Sequence, residues 1–120
     1  MNEKKKVMIA DDDAGIVDSL SMMLQYEGYE VSSTLNGASL LKLNEDLPDL
    51  LLLDIWMSGV DGRDICRQLK LQPHTSKIPI LMISASKDIR NSALAAGADD
   101  FLAKPFEMNE LLQKIEENIN

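Results

Sequence analysis

Four short apolar runs in this chain each end on residues able to do chemistry. Val7-Met8-Ile9-Ala10 is followed by Asp11-Asp12-Asp13, Leu50-Leu51-Leu52-Leu53 by Asp54, Ile78 to Ile83 by Ser84, and Phe101-Leu102-Ala103 by Lys104-Pro105. Placed side by side, these ends would combine carboxylates from two runs with a hydroxyl and an ammonium. Asp11, Asp12 and Asp54 in one pocket would repel one another strongly without a counter-charge. A hard divalent cation suits that set, because Mg²⁺ takes a few oxygen ligands, keeps several waters and commonly adds a phosphate oxygen. Lys104 brings a compact positive charge for a phosphoryl group, and the Ser84 hydroxyl can donate to a phosphoryl oxygen. Taken singly, each residue has a plainer reading. An acidic cluster is more often a solvated helix start, and Asp13 is expected to cap the first helix. A single Asp after a Leu run is more often a turn residue, and Ser84 alone would mean nothing. The joint pattern carries the weight, since four run ends converge on one chemistry.

The elements that must position these residues alternate along the chain. Val7 to Ala10 reads as a buried strand, followed by a helix over 14–27 with Ile16, Leu20, Met23, Leu24 and Tyr26 on its apolar face. Gly28 stands where a helix C-cap belongs. Glu30 to Thr34 is half-polar and suits a sheet edge. Asn36-Gly37 would serve a hairpin turn, yet Leu40, Leu41 and Leu43 suit a helix better, with Asn36 as its cap. Leu50 to Leu53 is apolar on both faces, as a central parallel strand covered by helices must be. Asp61-Gly62 opens a third helix carrying Ile65, Cys66 and Leu69 and stopped by Pro73. Ile78 to Ile83 is a second fully apolar strand, with Pro79 near its start where a missing N–H does little harm. Residues 88–96 read as a fourth helix ended by Gly97, Phe101 to Ala103 as the fifth strand, and 107–119 as the clearest helix, with Met108, Leu111, Leu112, Ile115 and Ile119 on one face.

Five repeated βα units imply an α/β fold with a parallel sheet and right-handed crossovers. Five strands are too few for an eight-stranded (βα) barrel, so an open, doubly wound sheet is expected. Ligands of such sheets bind beyond the carboxyl ends of the strands, where the chemical residues fall.

Composition narrows the function further. The 120 residues fit one domain. Acids outnumber bases 20 to 12, a formal net charge of −8. That disfavours direct nucleic-acid binding, which needs clustered Lys and Arg, and binding to anionic membranes. Aromatic residues are 4% of the chain, so the core must be aliphatic. A lone Cys66 excludes an intrachain disulfide framework and a multi-cysteine zinc site. The apolar run after Lys6 is too short for a signal peptide, and no segment approaches the ~20 apolar residues of a membrane span. A cytoplasmic location is expected.

The stretch Leu50-Leu51-Leu52-Leu53-Asp54-Ile55-Trp56-Met57-Ser58-Gly59-Val60-Asp61-Gly62, with Asp11-Asp12, Ser84-Ala85 and Gly97 to Phe106, resembles the receiver domain of bacterial two-component response regulators. The likeness spans essentially the whole chain. It implies a single flavodoxin-like (βα)₅ receiver domain over 1–120 with strand order 2-1-3-4-5. By the same resemblance Asp54 is the phosphoacceptor, attacking a phosphohistidine of a sensor kinase or a histidine phosphotransfer protein. Mg²⁺ would be held by Asp12, Asp54 and the backbone carbonyl of Trp56, with Asp11 assisting. Lys104 would pair with the carboxylate or phosphoryl group, Ser84 would move to the phosphoryl oxygen, and Phe101 would turn inward behind it. The Lys104–Pro105 bond would be cis. Such a domain catalyses only its own phosphorylation and dephosphorylation. The family usually has proline where Ser58 stands, which would loosen that loop without removing a chemical group.

Other classes fit less well. A haloacid dehalogenase-type phosphatase needs a second Asp two residues after the nucleophile, where this chain has Trp56. A flavin-binding module needs a Ser/Thr/Gly-rich phosphate loop after the first strand, where this chain has three aspartates. A receiver-like interaction module that takes no phosphate would not need the full set of Asp11, Asp12, Asp54, Ser84 and Lys104. His74, in the Pro73-His74-Thr75-Ser76 loop, reads as a solvated side chain and not a phosphodonor. Both a stand-alone receiver and one domain of a longer protein, with a covalently linked output domain, stay open. A stand-alone form would signal to a downstream protein through helix 4, strand 5 and helix 5, with Ile89, Arg90, Asp99 and Glu110; a plain solvated surface is the other reading of those residues.

Overall fold

The computed structural model describes residues 4–57 and 59–119. The backbone runs β1 (Lys6–Ala10), α1 (Ala14–Tyr26), β2 (Glu30–Thr34), a 3₁₀ segment (Gly37–Lys42), β3 (Leu50–Asp54), β4 (Trp56–Met57), β5 (Val60–Asp61), α2 (Gly62–Leu71), β6 (Ile80–Ser84), a second 3₁₀ turn (Lys87–Ile89), α3 (Arg90–Ala95), β7 (Asp100–Ala103) and α4 (Met108–Asn118). Five strands form one parallel sheet in the order β2-β1-β3-β6-β7. With the small β4–β5 hairpin set aside, this is the 2-1-3-4-5 order, and helices cover both faces.

The run of leucines in β3 shows why the sheet is doubly covered. Successive side chains of a strand point to opposite faces. Leu50 and Leu52 join Val7, Ile9, Leu81, Ile83 and Leu102 against α1 and α4. Leu51 and Leu53 join Ile80, Met82 and Phe101 against α2 and α3. All four leucines are buried, so a polar residue at any of them would be driven into a core. β2 is an edge strand, with Glu30, Ser32 and Ser33 exposed and Val31 and Thr34 half-buried, as its polar sequence suits.

Helix ends follow their local chemistry. Asp13 caps α1 by accepting from the N–H groups of Gly15 and Ile16 at 3.0 and 3.2 Å. Gly28 takes φ +98, and Tyr29 N–H reaches back to the Leu24 carbonyl at 3.0 Å, a Schellman end. No helix among the described residues is long and apolar enough to cross a membrane.

Several expectations need correction. The second helix is only the six-residue 3₁₀ segment Gly37–Lys42, although Asn36 does cap it. Asp46 at φ 50 and Pro48 interrupt any longer helix before β3. The fourth helix begins as a 3₁₀ turn and leaves six α-helical residues. Tyr26 and Met23 are exposed at 89% and 44%, because Val17, Leu20 and Leu24 set the buried face of α1 and Tyr26 lies about 200° around the helix from Leu24. The fourth sheet strand starts at Ile80, one residue after Pro79. The β4–β5 hairpin had no counterpart in the sequence reading; Gly59, at φ +75, lies in its turn. Ser58 and its expected effect on this loop lie outside the described residues.

Candidate functional site

The register of the sheet assembles the site. Ala10 pairs with Leu53, so Asp11 and Asp54 emerge side by side where β1 and β3 end. Asp54 itself pairs with Ile83, and Ser84 pairs with Ala103. Lys104 therefore leaves β7 beside Ser84, whose carbonyl accepts from the Lys104 N–H at 2.8 Å. The Lys104–Pro105 bond is cis.

The side chains converge accordingly. Carboxylate oxygens of Asp11, Asp12 and Asp54 all lie within 4.8 Å of one another. Lys104 Nζ stands 3.4 Å from Asp11 Oδ2 and 3.6 Å from Asp54 Oδ1. Asp11 is buried, and its Oδ1 also accepts from the Asp13 N–H at 3.0 Å. Asp12 is exposed and opens the cluster to solvent. Burial pushes the Asp54 carboxyl up to about 6; the Lys104 ammonium opposes this, and the charges of Asp11 and Asp12 add to it. The Lys104 ammonium thus lies against the carboxylates of Asp11 and Asp54, with that of Asp12 in the same cluster, and all three carboxylates are hard oxygen donors. That donor set fits a hard divalent cation such as Mg²⁺ and offers nothing to a soft one.

Ser84 is buried, with Oγ accepting from the Ser86 N–H at 3.1 Å. Phe101 is buried and packs in the core layer beneath α2 and α3. Trp56 is 59% exposed, and His74 is exposed, away from the carboxylates in a surface cleft with Pro48 and Lys77.

Gly62 explains how α2 can start so close to Asp54. A Cβ there would lie 2.7 Å from the Asp54 carbonyl oxygen and 3.0 Å from the Ile55 Cα. The Gly62 N–H donates to the Ile55 carbonyl, so the helix start is bonded directly to the chain leaving β3.

Residues 7–116 match the family model of the response regulator receiver domain. The chain belongs to that family. Among its relatives, the phosphate regulon transcriptional regulatory protein PhoB of Rhizobium meliloti is 38% identical over 113 residues, covering 92% of this chain and 50% of that protein. This receiver domain therefore spans about half the length of the curated relatives it matches. A putative response regulator from Chloroflexus aurantiacus superposes with a TM-score of 0.89 at 33% identity, over 96% of this chain and 97% of that one. The receiver domain of the Pseudomonas aeruginosa sensor histidine kinase PA1611, solved with magnesium coordinated in its active-site cleft, gives a TM-score of 0.85 at 25% identity, over 96% of this chain and 97% of that one.

On the surface expected for output, this receiver sorts its residues in two. Arg90 and Glu110 line one groove with Phe101, Leu102, Ala103 and Lys114. Ile89 packs partly into the core. Asp99 is a latch instead: it pairs with Lys70 at 2.9 Å and accepts from the Ile80 N–H at 2.8 Å. Sequence reasoning also missed Arg63, whose guanidinium holds Asp61 at 2.6 Å. Its only sequence signal was an Arg placed directly after the Asp-Gly that opens a helix.

Proposed function

We infer that this chain, over residues 1–120, is a phosphoacceptor receiver of a two-component or phosphorelay system, with Asp54 as the acceptor. The single observation that carries the reading is the meeting of Asp54 with Lys104 at 3.6 Å beside the carboxylates of Asp11 and Asp12. An oxygen of the Asp54 carboxylate attacks the phosphorus of a phosphohistidine on a sensor histidine kinase or histidine phosphotransfer protein. The P–O bond forms, the P–N bond breaks, and the electron pair leaves with the imidazole nitrogen. No general base is needed, because at pH 7 a carboxyl titrating at about 6 is already mostly an anion. Catalysis is then positioning plus charge neutralisation.

Asp11, Asp12, Asp54 and the backbone carbonyl of Trp56 would hold Mg²⁺, which supplies positive charge for the transferring phosphoryl oxygens. Lys104 pairs with the acyl phosphate and keeps its charge balanced. Ser84 turns its hydroxyl to a phosphoryl oxygen, and Phe101 follows behind it. The groove lined by Arg90, Phe101 and Glu110 then changes shape for a downstream protein or a covalently linked output domain. Receivers of this kind act in the cytoplasm and perform no chemistry beyond gaining and losing their own phosphoryl group.

The deciding experiment is incubation with acetyl phosphate and Mg²⁺, followed by mapping of the acid-labile phosphate by mass spectrometry. Modification at Asp54 that disappears with excess EDTA is expected. Main modification at Ser84, or none at all, would overturn the reading and leave a phosphorylation-independent interaction module.

A further inference from the structure

The guanidinium of Arg63, in the first turn of α2, is shared by three elements. Its Nε lies 2.9 and 3.1 Å from the two carboxylate oxygens of Asp61, and Nη2 lies 2.6 Å from Oδ2. Nη1 donates to Ser92 Oγ on α3 at 3.0 Å, across 29 residues of chain. The guanidinium also lies 5.5 Å from the centroid of the Trp56 indole. Ser92 continues the chain of bonds, donating to the Ile89 carbonyl at 2.9 Å. The side chains of Arg63 and Asp61 are only 21% and 22% exposed, so this pair is better shielded than an open surface ion pair.

A helix-capping role does not account for the arrangement. Asp61 Oδ1 already accepts from the Arg63 backbone N–H at 2.9 Å, and that cap needs no guanidinium. The bond to Ser92 adds nothing to a cap on α2. What it does is join α3 to the hairpin that follows Asp54. Only a planar fork of five donors can hold a carboxylate, reach a hydroxyl and lie against an indole at once; a lysine ammonium cannot. α3 is also an element such a tie can move, since it is six residues long, lacks a side-chain cap and buries Ala93.

We propose that Arg63 is a positioning residue that couples the β4–β5 hairpin after Asp54 to α3 through Ser92. The route is separate from the one that starts at Ser84, because it leaves from β3 and enters α3 from the α2 side. Coupling of this kind is reciprocal. A change at Ser92 must therefore alter the hairpin, and a change in the hairpin must alter α3. The hairpin begins with Trp56, so a pinned hairpin also presents a pre-organised metal site; that part rests on the function proposed above.

The test compares wild type, Arg63→Lys, Ser92→Ala and the double variant. Trp56 is the only tryptophan, so its emission reports the hairpin directly. In metal-free protein, Ser92→Ala should shift Trp56 emission, and the same substitution in the Arg63→Lys background should do nothing further. Hydrogen exchange at residues 56–63 should rise in step. With Mg²⁺ added, each single variant should weaken binding about two- to fivefold, and the double variant no more than either. Emission and exchange unchanged by Ser92→Ala would overturn the coupling, as would additive effects in the double variant. Wild type whose emission ignores Mg²⁺ would overturn the proposed function instead, while the metal-free comparison would still decide the role of Arg63.

Discussion

Lys104 Nζ lies 3.6 Å from Asp54 Oδ1, and the same ammonium is 3.4 Å from Asp11 Oδ2. One cation is thus divided between two carboxylates, with that of Asp12 close by. Burial is the main reason the Asp54 carboxyl is raised; the Lys104 ammonium opposes it, and the charges of Asp11 and Asp12 add to it. Ionising Asp54 in this setting is costly to the folded protein, and a divalent cation bound among the three carboxylates would offset that cost.

Stability should therefore depend on Asp54 in a definite direction. Its carboxyl titrates near 6 in the folded chain against an ordinary 3.8. Between those values the folded state holds the proton more tightly than the unfolded state. Stability from this group is greatest below about pH 4 and falls as pH rises through about 6. Asp54→Asn should remove that loss and stabilise metal-free protein at pH 7 by about 2–3 kcal/mol. Urea denaturation in EDTA at pH 4 and pH 7 measures it. An unchanged midpoint difference between the two pH values would contradict the electrostatic account.

Mg²⁺ should raise the melting temperature of the wild type in a concentration-dependent way, as expected for a ligand that binds only the folded state. Asp12→Ala should abolish most of that rise. Calorimetry with and without 10 mM Mg²⁺ (roughly a physiological excess for a weak site) is sufficient. Ca²⁺ stabilising the protein far more than Mg²⁺ would argue for a different cation.

Lys104→Ala should still accept phosphate at Asp54, but about 10²-fold more slowly from acetyl phosphate, the usual cost of losing one preorganised charge at a reacting group. The phosphorylated variant should fail to change hydrogen exchange near Ser84 and Phe101. Wild-type rates in Lys104→Ala would remove Lys104 from the mechanism.

Gly62→Ala should cost about 1–3 kcal/mol, because its Cβ would meet backbone and not a movable side chain. The Asp54 carbonyl must shift to relieve the clash, so Asp54 phosphorylation should slow as well. Unfolding curves and phosphorylation rates taken on the same samples would reveal whether the two losses travel together.

α3 should be the element that changes most. Leu94 is 37% exposed, leaving Ala93 as its buried anchor, whereas α4 buries Leu111 and Ile115. A weakly held segment shifts for the least free energy. Beryllofluoride with Mg²⁺ should alter hydrogen exchange in residues 85–96 more than in α1 or α4. Changes confined to α1 and α4 would place the switch elsewhere.

The five strands, and the acidic, hydroxyl and ammonium groups that follow them, were legible in the sequence, because strand burial is written locally. Leu50 to Leu53, apolar at every position, suits a strand covered on both faces, where all four are buried, and Asp54 follows it by covalent connection. Helix boundaries marked by Gly28 and Gly97 were legible for the same reason, since φ values of +98 and +108 favour glycine. The rest depended on which distant residues the packing brought together. Nothing in the sequence near Asp99 announces Lys70, and nothing near Arg63 announces Ser92. The exposure of Tyr26 was decided by which face of α1 met the sheet. The raised Asp54 carboxyl was decided by burial and by the spacing of four charges. Periodicity is a property of neighbours along the chain, whereas distances between charges and the orientation of a guanidinium exist only once the sheet register and helix packing are set.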